Sequence, residues 1–336
     1  MVRAHRHAIS VPGSNLCGQD HRTLSIRGLS LLNVNNDQIP ARLAAAFHRL
    51  YGADLVTAPG RTFDMTNRFI RFGERALRSS WTALQYQYYM KNGVQVWWNE
   101  RRNKTLPPLK LRDGSTLHHG AFDEPVALFR EVYVERFYEA LDAPHNANVV
   151  DIGANIGAVT LYWARSRPDI QFHAYEPNPQ SYSALLKNVE ANGLTAQVTT
   201  YREAVGFERG ELDIWTDVPT TLATAYGDAP AQGATRRSVP MIALDDVWDR
   251  MGRAPIWMLK IDTEGAEGDI LEGASDAVLA NVQTACVEWH DNIVPGVFER
   301  CRQRLEDANF VLQTRPHPWD EGIIFAAKPH VRSLPS

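Results

Sequence analysis

From His145 to Ala327 the chain repeats one unit, a short apolar run followed by a segment of helical period, and this alternation constrains the fold more than any other feature. Val149-Val150-Asp151-Ile152 predicts a strand, Ala158–Ala164 a helix, Phe172–Tyr175 a strand, Gln180–Asn192 a helix and Val198–Tyr201 another strand. Further on, Ile256–Ile261 and Val282–Trp289 read as strands around a helical stretch at Gly265–Leu279. Phe298–Asn309 then predicts a helix, with Phe310–Gln313 and Gly322–Ala327 as closing strands. Repeated βα units give a doubly wound, mainly parallel α/β sheet with helices on both faces. Ligands of such sheets lie beyond the carboxyl ends of the strands, so functional residues are expected there.

The 336 residues, 44% of them apolar, suffice for a sizeable core and correspond to roughly two domains. Upstream of the repeats the pattern is different. Residues 1–40 are polar and broken by glycine and proline, as in a loosely docked arm, and Ile39–Leu50 carries apolar residues at helical spacing. A second helix is expected over Asn67–Met90, then strands at Val94-Gln95-Val96-Trp97-Trp98 and Leu109-Lys110-Leu111, with Asp113-Gly114 signalling a hairpin. Trp81, Tyr86, Tyr88, Tyr89, Trp97 and Trp98 form an aromatic group here, whose spacing suits a core better than a binding surface. Thr216–Ser238 lacks periodicity and reads as a lid or an insertion.

The formal net charge of −4 argues against recognition of nucleic acid by bulk basicity. It conceals a division, because residues 1–112 hold 17 Lys+Arg against 6 Asp+Glu and residues 113–336 hold 18 against 33. The basic part could steer an anionic or carrier-bound small molecule. Cys17, Cys286 and Cys301 show no disulfide or metal spacing, no apolar run follows the basic N-terminus, and no window approaches a membrane span. A cytoplasmic protein without a membrane partner is the expectation.

Two turns have the make-up of a ligand site. Asp151-Ile152-Gly153-Ala154-Asn155-Ile156-Gly157 joins the first strand to its helix, where glycines allow close backbone approach and the helix start offers free N–H groups. The spacing departs from G-x-G-x-x-G, which weakens a pyrophosphate reading. At the next strand end, in Tyr175-Glu176-Pro177-Asn178-Pro179, Glu176 can accept both hydroxyls of a ribose, and Pro179 suits the first turn of a helix.

Paired polar residues also stand at the two later strand ends. Lys260 and Asp262 lie on one face of an apolar strand, where charges must pair or serve a pocket, and a structural Lys260–Asp262 ion pair is one alternative. Glu288 and His290 repeat the arrangement, and a histidine with a pKa near ~6.5 can act as general base. His290 is the expected base, with Asp262 or Glu288 assisting. Glu264 and Glu267 suit surface or capping positions at a helix start.

These segments, together with Leu259-Lys-Ile-Asp-Thr-Glu-Gly-Ala-Glu267 and Glu288-Trp-His290, in this order and spacing, resemble the FkbM-type methyltransferases. Phe129-Arg-Glu-Val-Tyr133 and Ala243-Leu-Asp-Asp-Val247 extend the resemblance, which runs from about Lys110 to Ala327 and leaves residues 1–105 uncovered. It implies a Rossmann-like class I fold over 111–330, an N-terminal helical and hairpin extension over 1–110, and S-adenosylmethionine as cofactor. It places the methionine part over Gly153, Ala154, Asn155 and Gly157 near Asp151, and the ribose on Glu176 beside Pro177 and Asn178. It places the adenine at Glu203 and Ala204, and the transferred methyl before Asp262.

The implied activity is O-methylation of a small natural product, a polyketide or sugar-bearing compound. A saccharide chain or a nitrogen acceptor, a nicotinamide-dependent oxidoreductase, and a non-catalytic cofactor-binding protein are the alternatives. A divalent cation on Asp262, Glu288 and His290 is considered and not favoured, because histidine suits Mg²⁺ poorly. The N-terminal region and the Thr216–Ser238 segment are expected to cover the acceptor, and a homodimer remains open.

Overall fold

The computed structural model describes residues 80–138, 141–219, 223–227, 233–317 and 320–331. The expected arm, the Ile39–Leu50 helix and the start of the Asn67–Met90 helix lie outside these residues, and 80–89 is helical as expected. The next element, α1 (Gly93–Glu100), is a helix where alternation predicted a strand. Val96 is fully buried while Val94 and Trp98, which would share its face in a strand, are 59% and 46% exposed. Packing fixes the helix here: a Cβ on Gly93 would stand 2.3 Å from the Tyr86 carbonyl, so only glycine lets the helix start this close to the preceding turn.

β1 (Leu109–Lys110) and β2 (Thr116–Leu117) form the hairpin expected around Asp113-Gly114. α2 (Pro125–Phe129) continues into a π-helical turn at Arg130–Val134. Then come β3 (Asn148–Ile152), α3 (Ala158–Ser166), β4 (Gln171–Tyr175), α4 (Pro179–Ala191) and β5 (Val198–Tyr201), all within a residue or two of expectation. Asn178 caps α4 through a 3.0 Å hydrogen bond from Gln180 N, with Pro179 in the first turn.

The Thr216–Ser238 stretch is partly regular. β6 (Ala204–Gly206), β7 (Gly210–Thr216) and β8 (Thr235–Ala243) make a small sheet in the order β6-β8-β7, so Arg236, Arg237 and Ser238 lie in a strand. Its outer residues are polar and exposed, which hid the strand from hydrophobic periodicity. After α5 (Leu244–Arg250) and β9 (Ile256–Ile261), the single helical stretch expected at Gly265–Leu279 is two helices, α6 (Glu267–Gly273) and α7 (Asp276–Asn281). β10 (Val282–His290), α8 (Val297–Asp307), β11 (Val311–His317) and β12 (Glu321–Ala327) complete the chain.

The main sheet has the order β11-β12-β10-β9-β3-β4-β5. β3 pairs in parallel with both β4 and β9, β9 with β10 and β4 with β5, while β12 is antiparallel to β10 and β11. This is the class I, Rossmann-like arrangement, in which strand order reverses between β3 and β9 and opens a crevice at their carboxyl ends. Val149 and Val150 face opposite sides of the sheet into separate apolar clusters. One cluster also takes in Tyr86, Met90, Leu109, Leu117 and Phe129, so residues 86–129 share the core of the main sheet. Asn188 secures this junction, accepting from His118 N at 2.6 Å and donating to His118 O at 2.8 Å.

Candidate active site

A cavity of about 530 Å³ lies at the carboxyl ends of β3, β4, β9 and β10. Its floor is the turn after β3. Gly153 has φ +76°, and a Cβ there would come within 1.7 Å of the Asp262 carbonyl oxygen, so glycine alone lets the two strand ends close on each other. Asn155 is also left-handed at φ +52°, and its Oδ1 is buried without a hydrogen-bond partner on the cavity wall. Gly157, at φ +84°, begins α3, and a Cβ there would meet Leu185 at 2.6 Å. Asp151 lies behind this cradle, accepting from Thr160 Oγ1 at 2.5 Å and pairing with Lys260 at 3.1 Å.

Glu176 closes the second side. Its two carboxylate oxygens accept from Asn155 N and Asn178 N, each at 2.8 Å, which fixes the carboxylate while leaving further lone pairs to accept from a ligand. Burial pushes its pKa up to about 7 against the two N–H donors. Glu203 is differently engaged: both of its oxygens are held by Arg250, one at 3.0 Å. Ala204, Val205, Leu212 and Ile214 make this end of the cavity apolar.

Lys260, 2% exposed, is not simply paired with Asp262. Its ammonium bridges Asp151 at 3.1 Å and Asp262 at 3.3 Å and donates to Gly153 O at 3.1 Å. Burial would lower its pKa, but the two carboxylates outweigh that and raise it, so the charge is permanent. Lys260 thereby ties the turn after β3 to the end of β9.

The end of the cavity at β9 and β10 is strongly acidic. Asp262, Glu264, Glu288 and His290 come together as the strand ends converge, joined by Glu131 from the π-helical turn. Glu131 lies within the Phe129–Tyr133 segment of the resemblance, yet only the fold brings it to β9. Of the surface or capping positions expected for Glu264 and Glu267, the surface one fails for Glu267, whereas its acceptance of backbone N–H groups at the start of α6 is cap-like. Glu264 has φ +55° and lines the cavity. Glu267 is fully buried; its Oε1 accepts from Thr263 N at 2.9 Å, Gly265 N at 3.1 Å and His290 Nδ1 at 3.0 Å.

This clamp changes what His290 can do. Burial would lower its pKa, but the Glu267 hydrogen bond and charge, with Glu264, lift it to about 11. An imidazolium at neutral pH holds its proton, so His290 is not the neutral base expected from a pKa near ~6.5. Glu288 is better poised. It accepts from Tyr138 Oη at 2.8 Å, and burial, then the charge of Asp262, brings its pKa to about 8. Burial and Asp262 likewise push Glu131 to about 7. An anionic acceptor group would meet carboxylates on the described wall. Of the N-terminal aromatics within the described residues, Tyr86 is buried and Tyr88 and Trp98 are exposed, and none lines the cavity. Ala223, Thr224 and Ala225 of the irregular segment do line it.

These groups predict a direction for stability against pH. Glu131, Glu176 and Glu288 retain protons in the folded state above their unfolded value of 4.5, as His290 does above 6.5. The folded chain therefore binds more protons than the unfolded one across neutrality, and stability falls as pH rises from about 6 to 9. Calorimetry of the ligand-free protein checks this; a thermal midpoint that climbs over the interval contradicts it.

Residues 151–312 match the family model described as the methyltransferase FkbM domain. The chain is 26% identical over 221 residues to methyltransferase sdnD of Sordaria araneosa, an alignment covering 57% of this chain and 84% of that protein. It is 28% identical over 214 residues to the 31-O-demethyl-FK506 methyltransferase FkbM of Streptomyces tacrolimicus, covering 54% of this chain and 81% of that one. Among solved structures, methyltransferase FkbM from Methylobacillus flagellatus KT aligns at 16% identity and a TM-score of 0.42, over 59% of this chain and 47% of that chain. Among the described residues no helix is long and apolar enough to cross a membrane.

Proposed function

We propose that this chain, a member of the FkbM methyltransferase family and a methyltransferase enzyme, uses S-adenosylmethionine to methylate a hydroxyl of a small natural-product acceptor, a polyketide or sugar-bearing metabolite. One observation carries the reading: a single cavity joins a glycine cradle and the Glu176 carboxylate to a cluster of proton-accepting carboxylates across the β3/β9 crevice. The cradle residues fit the cofactor, since Gly153 keeps the turn open and the unpartnered Asn155 Oδ1 offers an acceptor at its edge. Glu176 would hold the ribose hydroxyls, and the apolar Ala204–Val205 wall would receive the adenine. The name of the Streptomyces relative states methylation of an O-demethyl compound, which favours an oxygen acceptor.

Bound S-adenosylmethionine supplies an activated sulfonium methyl, so the protein needs chiefly to align the acceptor and take up its proton. Glu288 takes that proton. Its pKa near 8 matches a base working close to neutrality, and Tyr138 fixes its orientation. Lys260 stays charged and holds Asp262 at the edge of the cofactor turn, while Glu267 fixes the His290 ring from behind through Nδ1. The carboxylate-rich wall favours a second reading, an acceptor that binds as an ammonium and whose nitrogen is methylated after Glu288 has taken one of its protons.

Titration calorimetry with S-adenosylmethionine and with NAD tests the cofactor: saturable binding of the first alone is expected, and NAD binding in its place overturns the reading. Glu176→Ala should weaken S-adenosylmethionine binding about 100-fold, two charge-assisted hydrogen bonds being lost. With an acceptor found by a mass-spectrometric screen for methyl gain, Glu288→Gln should lower kcat about 10²–10⁴-fold at little change in cofactor affinity. Turnover near the parent level would remove Glu288 as the base.

A further inference from the structure

Glu267 is absent from the cavity wall and bonds His290 from behind, and this places the imidazole in an arrangement that proton uptake does not explain. His290 is 4% exposed and lines the cavity. With Nδ1–H donated to the buried Glu267 carboxylate, itself anchored by the N–H groups of Thr263 and Gly265, Nε2 is the ring nitrogen left to face outward. The acid nearest to it, Glu264 Oε2, lies at 3.6 Å, beyond hydrogen-bond distance. A histidine whose rear nitrogen is fixed by a carboxylate and whose front nitrogen is presented to other acids has the orientation found in carboxylate–histidine–metal sites.

The donor atoms of Asp262, Glu264 and His290 all lie within 4.8 Å of one another. Two bonds of about 2.0–2.2 Å to a common ion span about 4 Å, so small side-chain rotations bring all three to one centre. Asp262 is held by Lys260, Glu264 by a left-handed turn and His290 by Glu267, which leaves the three ligands on rigid supports. The Asp262–Glu288–His290 set considered from sequence differs by one member, because Glu288 is turned to Tyr138 and Glu264 stands in its place.

We propose that Asp262, Glu264 and His290 bind one divalent transition-metal ion, Mn²⁺ in the first instance, with Glu267 as the positioning residue behind His290. One imidazole with two carboxylates suits Mn²⁺, Fe²⁺ or Zn²⁺ better than Mg²⁺. On binding, the ion takes the Nε2 lone pair and the Nε2 proton passes to solvent. Three protein ligands beside a cavity leave coordination positions open. On the methyl-transfer reading, which this part of the proposal rests on, an open position would receive the acceptor hydroxyl and make its proton easier to remove.

The test is Mn²⁺ binding to the chelator-stripped full-length protein near neutral pH, without cofactor or acceptor. One saturable site per chain is expected, with nitrogen coupling in the spin-echo spectrum of the bound Mn²⁺, and Zn²⁺ competing for it. Glu264→Gln and Asp262→Asn should each weaken binding at least tenfold, and His290→Asn should also abolish the nitrogen coupling, whereas Glu208→Gln on the surface should change nothing. No saturable site for Mn²⁺ or Zn²⁺, or a bound ion without nitrogen coupling in the unaltered protein, overturns the proposal, and neither result depends on a variant folding. Undiminished affinity in all three ligand variants does the same. Calorimetry with S-adenosylmethionine, run separately, distinguishes the two readings: cofactor binding without Mn²⁺ binding sinks the ion site alone, and Mn²⁺ binding without cofactor binding sinks the methyl-transfer reading alone.

Discussion

Lys260→Met is expected to destabilise the protein by about 3–5 kcal/mol, the cost of leaving buried charges without their partner. Asp151 is fully buried and Asp262 stands at the cavity edge, both within 3.3 Å of the ammonium. Against a total stability of about 5–15 kcal/mol, the loss is at least about a fifth of the whole. Denaturant titration measures it. Adding Asp151→Asn should recover a large part of the loss, because the stranded charge is then removed. A single variant within about 1 kcal/mol of the parent would show that the network is solvated and contributes little.

Gly153→Ala is expected to abolish cofactor binding, by 100-fold or more in affinity, equivalent to about 2.8 kcal/mol. Its Cβ would overlap the Asp262 carbonyl oxygen at 1.7 Å, and that carbonyl belongs to backbone held by a 3.1 Å bond from Asp262 N to Ile152 O. Relief requires the β3 and β9 ends to separate, which displaces Asn155 from Glu176 and Gly153 O from Lys260. Gly193→Ala is the control. It shares the left-handed conformation, at φ +69°, but no atom lies within 4 Å of its added Cβ. It should cost about 1 kcal/mol of backbone strain and leave binding intact. S-adenosylmethionine affinity retained in Gly153→Ala would show that the turn gives way without harm to the site.

The parallel sheet was legible because its strands are buried on both faces and so appear as continuous apolar runs between helical segments. β3, β4, β9 and β10 fall close to where those runs place them. The placement of the glycine turn and of Glu176 at strand ends was legible for a related reason: it depends on local backbone geometry, which a few adjacent residues dictate. Where local pattern and packing disagreed, packing decided. Val94-Gln-Val-Trp-Trp alternates like a strand, yet it is helical because Gly93 lets α1 start against the Tyr86 carbonyl. β8 was missed because its first half, Thr235-Arg236-Arg237-Ser238, is exposed and polar and carries no hydrophobic period.

The acceptor end shows the same limit in its chemistry. Sequence identified Asp262, Glu288 and His290 as polar residues at adjacent strand ends, and the sheet brings them together. It could not assign their protonation. Whether His290 is a base or a cation depends on Glu267, 23 residues away, being buried beneath it rather than exposed at a helix start. Glu131 reaches Asp262 only through the π-helical turn that packs over the sheet. By itself, then, the sequence determined the sheet, its order of βα units and the glycine turn after β3, all set by short-range pattern. Only the tertiary structure decided which acid faces which base, because pKa values follow from burial and from charges brought within a few ångströms by the fold.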